Sequence, residues 1–370
     1  MNEPIRILHV CQRMEAAGLQ SFIMNIYRNI DKTKVQFDFL VHYKEKQFYD
    51  NEIEQLGGRV FKLSVREDYN IIKYWRELNN FFKTNNYDIV HGHMDTLGAV
   101  YLLAAKRNGI KVRIAHAHTD YVQSGIKKIP RLAMISLFKR NANYLFACSK
   151  QSGKFMYKQS DFMIYRNAID VDKYAYNQIT RANVRERLGI KDCIVLGHVG
   201  RFNEVKNHDF IFTLLKKLIP QIPNIKLLLI GGGELESHIN KRISELNLKD
   251  YVIVLKNRSD VEKLYQAMDL FLLPSLFEGI PLVGVEAQSS GLPCLFSDRV
   301  NKEVSVTNNA FFLSIDNGTE VWEKKIIDIC RNYVRMDQTN EVKNKGYDSK
   351  NVARQLEQFY LEVSKIYSLY

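Results

Sequence analysis

The stretch from Leu272 to Asp298, LLPSLFEGIPLVGVEAQSSGLPCLFSD, constrains the fold more than any other part of the chain. An apolar run ends at Leu273, and Pro274 and Ser275 stop it. The spacing predicts strand, tight turn, helix, turn and strand. Pro281 is expected as the first helical residue, since its fixed φ suits a helix start and its missing N–H is not needed there. Gly279 lets backbone approach a ligand closely. The segment Gly279-Ile280-Pro281-Leu282 leads into the helix, whose terminal amides would face phosphate oxygens. Two carboxylates bracket that start, Glu278 in the turn and Glu286 about a turn and a half inside the helix. Phosphate-binding amides between two hydroxyl-binding carboxylates suit a nucleotide-sugar.

The rest of the chain repeats strand, loop and helix. IRILHV (5–10), YDIVHGH (87–93), KVRIAHAH (111–118), CIVLGHVGRF (193–202) and IKLLLI (225–230) read as buried parallel strands. Amphipathic stretches separate them, which argues for doubly wound α/β sheets. At 370 residues the chain exceeds one ordinary core, so two domains are expected. Asp95, Ser149 and the NRSD segment (257–260) are expected to cap helices, and Asn351–Tyr367 to close the chain as an amphipathic helix.

No G-x-G-x-x-G follows the first strand, which counts against a dinucleotide enzyme. His91 and His93, then His116 and His118, are i, i+2 pairs on strands, so each pair faces one side. No cysteine or acid completes a zinc spacing around them, and His91 and His116 are expected to be structural. Asp170-Val171-Asp172 forms D-x-D, but it falls in a linker, and no metal site or cofactor is expected.

The net charge of +12 calls for a polyanionic partner. Eight cations and no acid lie between Tyr121 and Ser160: Lys127, Lys128, Arg131, Lys139, Arg140, Lys150, Lys154 and Lys158. Among them Ile129, Leu132, Ala133 and Leu137 recur at helical spacing. Two readings stay open, a helix lying on an anionic membrane surface and a helix packed on its sheet with its basic face in water. Nucleic acid would need aromatic residues between the cations, and 122–143 holds only Phe138. No run of about 20 apolar residues exists to span a bilayer. Five scattered cysteines and an N-terminus that enters a strand directly suggest a reduced cytoplasmic protein without a leader.

Glu278-x7-Glu286 within P-S-x-x-E-G-x-P-L resembles the signature of glycosyltransferase family 4, whose retaining enzymes have the two-Rossmann GT-B fold. Further motifs run in order along nearly the whole chain. MEAAGLQSF resembles the N-terminal Gly-Gly-x-Glu loop, with Gly18 kept but Ala17 and Gln20 in place of Gly and Glu. RIAHAH resembles the strand whose last histidine, here His118, sits over the donor sugar. Asn167-Ala168-Ile169-Asp170 resembles the Asn-Gly-Ile-Asp leading into the second domain. Gly200-Arg201 and Lys206 resemble a motif whose two cations clamp the diphosphate without metal.

The resemblance implies an acceptor domain over 1–170 joined by 351–370, a donor domain over 171–350, and a cleft that the two face. It implies that Arg201 and Lys206 hold the diphosphate, Glu278 the sugar hydroxyls and Glu286 the ribose. Gly233 would lie near the nucleotide, with Asn257 and Arg258 near the base. The expected activity is retaining transfer of a hexose from a nucleotide-sugar, UDP-linked, to a saccharide acceptor. With the basic stretch at 121–160, a lipid-linked acceptor in exopolysaccharide or capsule assembly is expected, at the inner membrane face. The alternatives are an epimerase or hydrolase of nucleotide-sugars on the same fold, and a non-catalytic partner subunit.

Overall fold

The computed structural model describes residues 3–368 apart from 16, 64, 120–127 and 257. Its contacts divide the chain into two units, Met1–Ala168 with Ser349–Tyr370, and Ile169–Asp348.

The first unit holds β1 (Ile5–Val10), β2 (Val35–Val41), β3 (Val60–Lys62), β4 (Ile89–Gly92), β5 (Val112–Ala117), β6 (Tyr144–Ala147) and β7 (Met163–Ile164). They form one parallel sheet in the order β3-β2-β1-β4-β5-β6-β7. Alternate residues point to opposite faces. Ile7, Phe37, Phe39, Ile89, Ile114 and Phe146 share one core with Phe22 and Ile23 of helix Gly18–Asn29 and with Leu356 and Tyr360 of helix Ser349–Ser368. Leu8, Val10, Leu40, Val90 and Ala115 share the other with Tyr74, Leu102 and Phe138 from three further helices.

Several local expectations shift. Ser149 does cap its helix, exchanging bonds with Ser152. Asp95 is instead the first helical residue, after an N-cap Met94 that makes no side-chain bond. Asp260 holds an N-cap position, yet both its oxygens take the Arg258 guanidinium at 2.8 Å, so it does not cap. Pro281 is the N-cap rather than the first helical residue: its φ of −72° is helical, but its ψ of 114° is extended.

The largest departure is helix Lys128–Asn141. Phe138 lies over Gly98 of the neighbouring helix Asp95–Arg107, where a Cβ would come within 2.2 Å of its ring. Asn141 Nδ2 donates to Ala99 O at 3.1 Å. That anchoring turns Ile135 and Phe138 inward and leaves Ile129, Leu132 and Leu137 80%, 43% and 44% exposed. Ala133 is exposed too. The helix therefore packs as the second reading expects, but through Ile135 and Phe138 rather than through the apolar stripe. Lys127 lies outside the described residues.

The second unit holds β8 (Ile194–Val199), β9 (Ile225–Ile230), β10 (Val252–Leu255), β11 (Leu270–Leu273), β12 (Cys294–Ser297) and β13 (Ala310–Leu313), parallel in the order β10-β9-β8-β11-β12-β13. The order reverses between β8 and β11. Connections leaving these two strands run opposite ways and open a crevice at the carboxyl ends, where such sheets bind ligands. Among the described residues no helix is long and apolar enough to cross a membrane.

Candidate functional site

Three loops meet at the carboxyl edge of the second unit, after β8, β9 and β11. Backbone bonds zip the first two: Phe202 N donates to Gly232 O at 2.9 Å, and Leu235 N to Phe202 O at 2.9 Å. Gly233, at φ +157°, has no room for a side chain, since a Cβ would sit 2.6 Å from Phe202 O. Its glycine is thus required by the neighbouring loop, not only by close approach to a nucleotide as its place in the sequence suggested.

The β8 and β11 loops are stitched as firmly. Leu276 N donates to Val205 O at 2.8 Å, and Asn207, in left-handed backbone at φ 55°, donates through Nδ2 to Pro274 O at 3.2 Å. Asn203 caps the short turn Glu204–Lys206, and the Lys206 stem lies across Gly200, where a Cβ would stand 3.0 Å from Cε. Lys206 Nζ thereby reaches Glu278 Oε1 at 2.5 Å, with side chains only 13% and 19% exposed. Ser275 Oγ also bonds that oxygen at 3.3 Å, and Asn301 N holds the Glu278 carbonyl at 3.1 Å.

Arg201 goes elsewhere. Its Nε pairs with Glu234 Oε2 at 3.0 Å, and its side chain is 71% exposed. An exposed pair of this kind stabilises little, so the guanidinium can change partners at small cost. Arg258 is held by Asp260, and Asn257 lies outside the described residues.

In the turn after Glu278, Gly279 and Ile280 are half-buried, while Pro281 and Leu282 are buried. Helix Leu282–Ser289 carries Glu286 under two hydroxyls. Tyr265 Oη donates to Glu286 Oε2 at 3.0 Å, and Tyr174 also bonds the carboxylate. Burial pushes the Glu286 pKa up, while the two tyrosines and Lys173 pull it down. Sequence reasoning missed both tyrosines, which stand at no fixed spacing from Glu286.

In the first unit, Gly18 opens its helix and Gln20 Nε2 donates to Arg13 O at 3.0 Å, so this amide braces its own loop. His118 follows β5 and ends a row of rings. His9 Nδ1 meets His93 Nε2 at 2.9 Å, and His93 Nδ1 meets His118 Nε2 at 3.0 Å. A second row joins Tyr360 Oη to His91 Nδ1 at 2.6 Å and His91 Nε2 to His116 Nδ1 at 3.0 Å. Burial holds all five histidines neutral, His9 and His118 down to about 3 and the others well below their usual value. His9–His91–His93 and His93–His116–His118 are close enough for a metal. However, His91 and His93 each use both ring nitrogens within the rows, so neither triad offers three free lone pairs. His9 was missed in the sequence; its signal is one polar residue on the inward face of an apolar strand.

A family model described as Glycosyltransferase Family 4 matches residues 16–173, and one described as Glycosyl transferases group 1 matches 180–348. The putative glycosyltransferase EpsF of Bacillus subtilis (strain 168) is 35% identical, over 87% of this chain and 86% of its own. The UDP-Gal:alpha-D-GlcNAc-diphosphoundecaprenol alpha-1,3-galactosyltransferase of Escherichia coli is 25% identical, over 95% of each. Among solved structures, Anabaena HepE in complex with UDP and glucose superposes with a TM-score of 0.75 at 18% identity, covering 98% of this chain and 99% of its own. The lipopolysaccharide glycosyltransferase WaaG gives 0.68 at 18% identity, covering 95% of each.

Proposed function

Because this chain belongs to glycosyltransferase family 4, with the GT-B fold of two Rossmann-like domains, we propose that it transfers a hexose, with retention, from a UDP-linked donor to a lipid-linked saccharide acceptor in exopolysaccharide or capsule assembly. The observation that carries this reading is the Lys206–Glu278 pair at the carboxyl edge of the second sheet. It stores a cation and a sugar-binding carboxylate side by side until a ligand separates them. The activity for which the Escherichia coli relative is named, with its UDP-Gal donor and diphosphoundecaprenol-linked acceptor, supports the donor and acceptor class. The Anabaena structure with UDP and glucose supports the donor.

In this reading, negative charge grows on the departing diphosphate. Lys206 swings from Glu278 and Arg201 from Glu234 to meet it, so that stabilisation is greatest in the transition state. The helix start at Leu282 adds its dipole. Glu278, released, accepts bonds from sugar hydroxyls, and Glu286 accepts from the ribose. His118 contacts the donor from the first unit. The acceptor hydroxyl attacks on the face from which the diphosphate departs, and a donor phosphate oxygen takes its proton. No protein nucleophile and no metal takes part. The exposed stripe Ile129, Leu132 and Leu137, with Arg131 and Arg140 beside it, docks on anionic lipid where a lipid-linked acceptor resides.

The test is a panel of UDP- and GDP-sugars offered with and without lipid-linked acceptors, with products weighed by mass spectrometry and the remaining donor's sugar identified by 1H NMR. Transfer of one hexose from a UDP donor is the expected outcome. An isomerised donor, or hydrolysis that no acceptor alters, would replace this reading by the epimerase or the hydrolase.

A further inference from the structure

We infer that Tyr265 is a positioning residue for the nucleotide: its hydroxyl holds the Glu286 carboxylate in place before the donor arrives, so that the ribose meets an acceptor already aimed. The inference rests on the reading above that Glu286 accepts from the ribose.

Tyr265 stands in helix Val261–Ala267 and Glu286 in helix Leu282–Ser289. A phenol has one proton and a carboxylate has none to give. The 3.0 Å contact between Tyr265 Oη and Glu286 Oε2 therefore runs one way, from the tyrosine. The same hydroxyl lies 3.2 Å from Val283 O, about one turn earlier in the helix that carries the carboxylate. Its proton goes to the charged acceptor, which is nearer and draws it more strongly. One hydroxyl thus touches both the backbone of that helix and its glutamate.

The donor of this bond cannot wander. The Tyr265 ring is fully buried between Phe271 of β11 and Tyr174, with ring centroids 5.9 Å away on each side. The next residue, Gln266, accepts from Asn177 N at 3.0 Å and donates to Tyr174 O and Ala175 O at 3.3 Å, which holds the segment that carries Tyr174. A glutamate left to itself turns about several bonds, and a ligand that binds it must stop them. Tyr265 has stopped them beforehand, which removes that cost from binding. It also draws the Glu286 pKa down against the burial that pushes it up, so the carboxylate stays an acceptor for hydroxyls. Each carboxylate oxygen accepts at two lone pairs, so the bond from Tyr265 leaves room for a ribose hydroxyl.

The experiment is calorimetric binding of UDP, and of 2′,3′-dideoxy-UDP, which lacks both ribose hydroxyls, to the full chain. Wild type should prefer UDP. Tyr265→Phe keeps the ring and removes the bond, so it should weaken UDP up to about tenfold, the worth of one positioned hydrogen bond, and bind dideoxy-UDP as wild type does. Tyr333→Phe is the control. Its hydroxyl donates to Gly291 O at 2.8 Å, just past the far end of the Glu286 helix, and its loss should leave both affinities alone. Equal weakening of both ligands in Tyr265→Phe would mean a structural role only and overturns the inference, as does unchanged binding of both. A crystal structure of wild type with UDP tests the same point without any variant. Tyr265 should still bond Glu286 while the carboxylate meets a ribose hydroxyl, and a carboxylate turned off Tyr265 onto the ribose overturns the inference. If wild type binds both ligands equally and the crystal shows no ribose contact, the assignment of Glu286 to the ribose falls, and the positioning role with it.

Discussion

Lys206 Nζ and Glu278 Oε1 lie 2.5 Å apart, although 72 residues separate them in the chain. Ser275 fixes the carboxylate and Gly200 makes room for the lysine stem. Lys206→Met and Glu278→Gln should each lower kcat about 10²-fold or more, as removing a preorganised charge contact does. The double variant should lose less than the product of the two, because both act on one leaving event. Steady-state kinetics on variants whose thermal unfolding matches wild type would check this; full additivity would separate the pair.

Arg201 predicts a contrast between stability and rate. Its pairing with Glu234 is exposed, so Glu234→Ala should leave the denaturation midpoint of wild type unchanged. Arg201→Ala should leave stability equally unmoved while turnover falls about 10²-fold. Denaturant titration beside kinetics gives both numbers. Near-normal turnover in Arg201→Ala would remove it from the mechanism.

The neutral histidine rows make the first unit sensitive to acid. In the folded chain His9 and His118 are held down to about 3, and His91, His93 and His116 well below 6.5, all by burial first. Their unfolded values are near 6.5. Below that pH the unfolded chain binds more protons, so the stability they contribute is complete above about pH 6.5 and lost as pH falls. Each costs up to about 1.4 kcal/mol per pH unit. Asp95, raised to about 6 by burial, works the other way, but it is one group against five. In the second unit, His198 and His208 add the same acid sensitivity. Chemical denaturation at pH 7.5, 6 and 5 should show a monotonic fall. Equal stability at pH 7.5 and 5 would mean that the rings are already protonated or solvated.

Much of this architecture can be read from local pattern. Strands such as IKLLLI, buried on both faces, announce a parallel sheet, and their edges move by at most three residues, the largest shift being the end of β8 at Val199 rather than Phe202. What local pattern lacks is the partner. Helical spacing shows that Ile129, Leu132 and Leu137 share a side, but not that Phe138 over Gly98 turns that side outward. His9 looks like an isolated polar residue until β1 pairs with β4 and sets it against His91 in register and His93 in hydrogen bond. Tyr265 meets Glu286 across helices whose separation no motif encodes. The E-x7-E spacing points to the turn and helix of the site, whereas the Lys206–Glu278 contact needs β8 and β11 to be neighbours.

The exposed stripe on helix Lys128–Asn141 predicts sedimentation with anionic vesicles, weaker with neutral ones and reversed by salt over a Debye length of about 8 Å. Replacing Ile129, Leu132 and Leu137 by Ser should abolish it, and replacing Arg131 and Arg140 by Gln should reduce it. UDP-hexose binding should be unchanged in both variants. Equal binding to neutral and anionic vesicles, or none to either, would favour a soluble acceptor.

The central claim is metal-free, retaining transfer from a UDP-hexose. The measurement that reaches it most directly is 1H NMR of the product formed from an α-linked UDP-hexose and a lipid-linked saccharide in excess EDTA. Arg201, Lys206 and the helix start at Leu282 predict turnover undiminished by the chelator, and an anomeric signal that keeps the donor's α configuration. A β-linked product, or activity lost to EDTA and restored by manganese, would contradict the account.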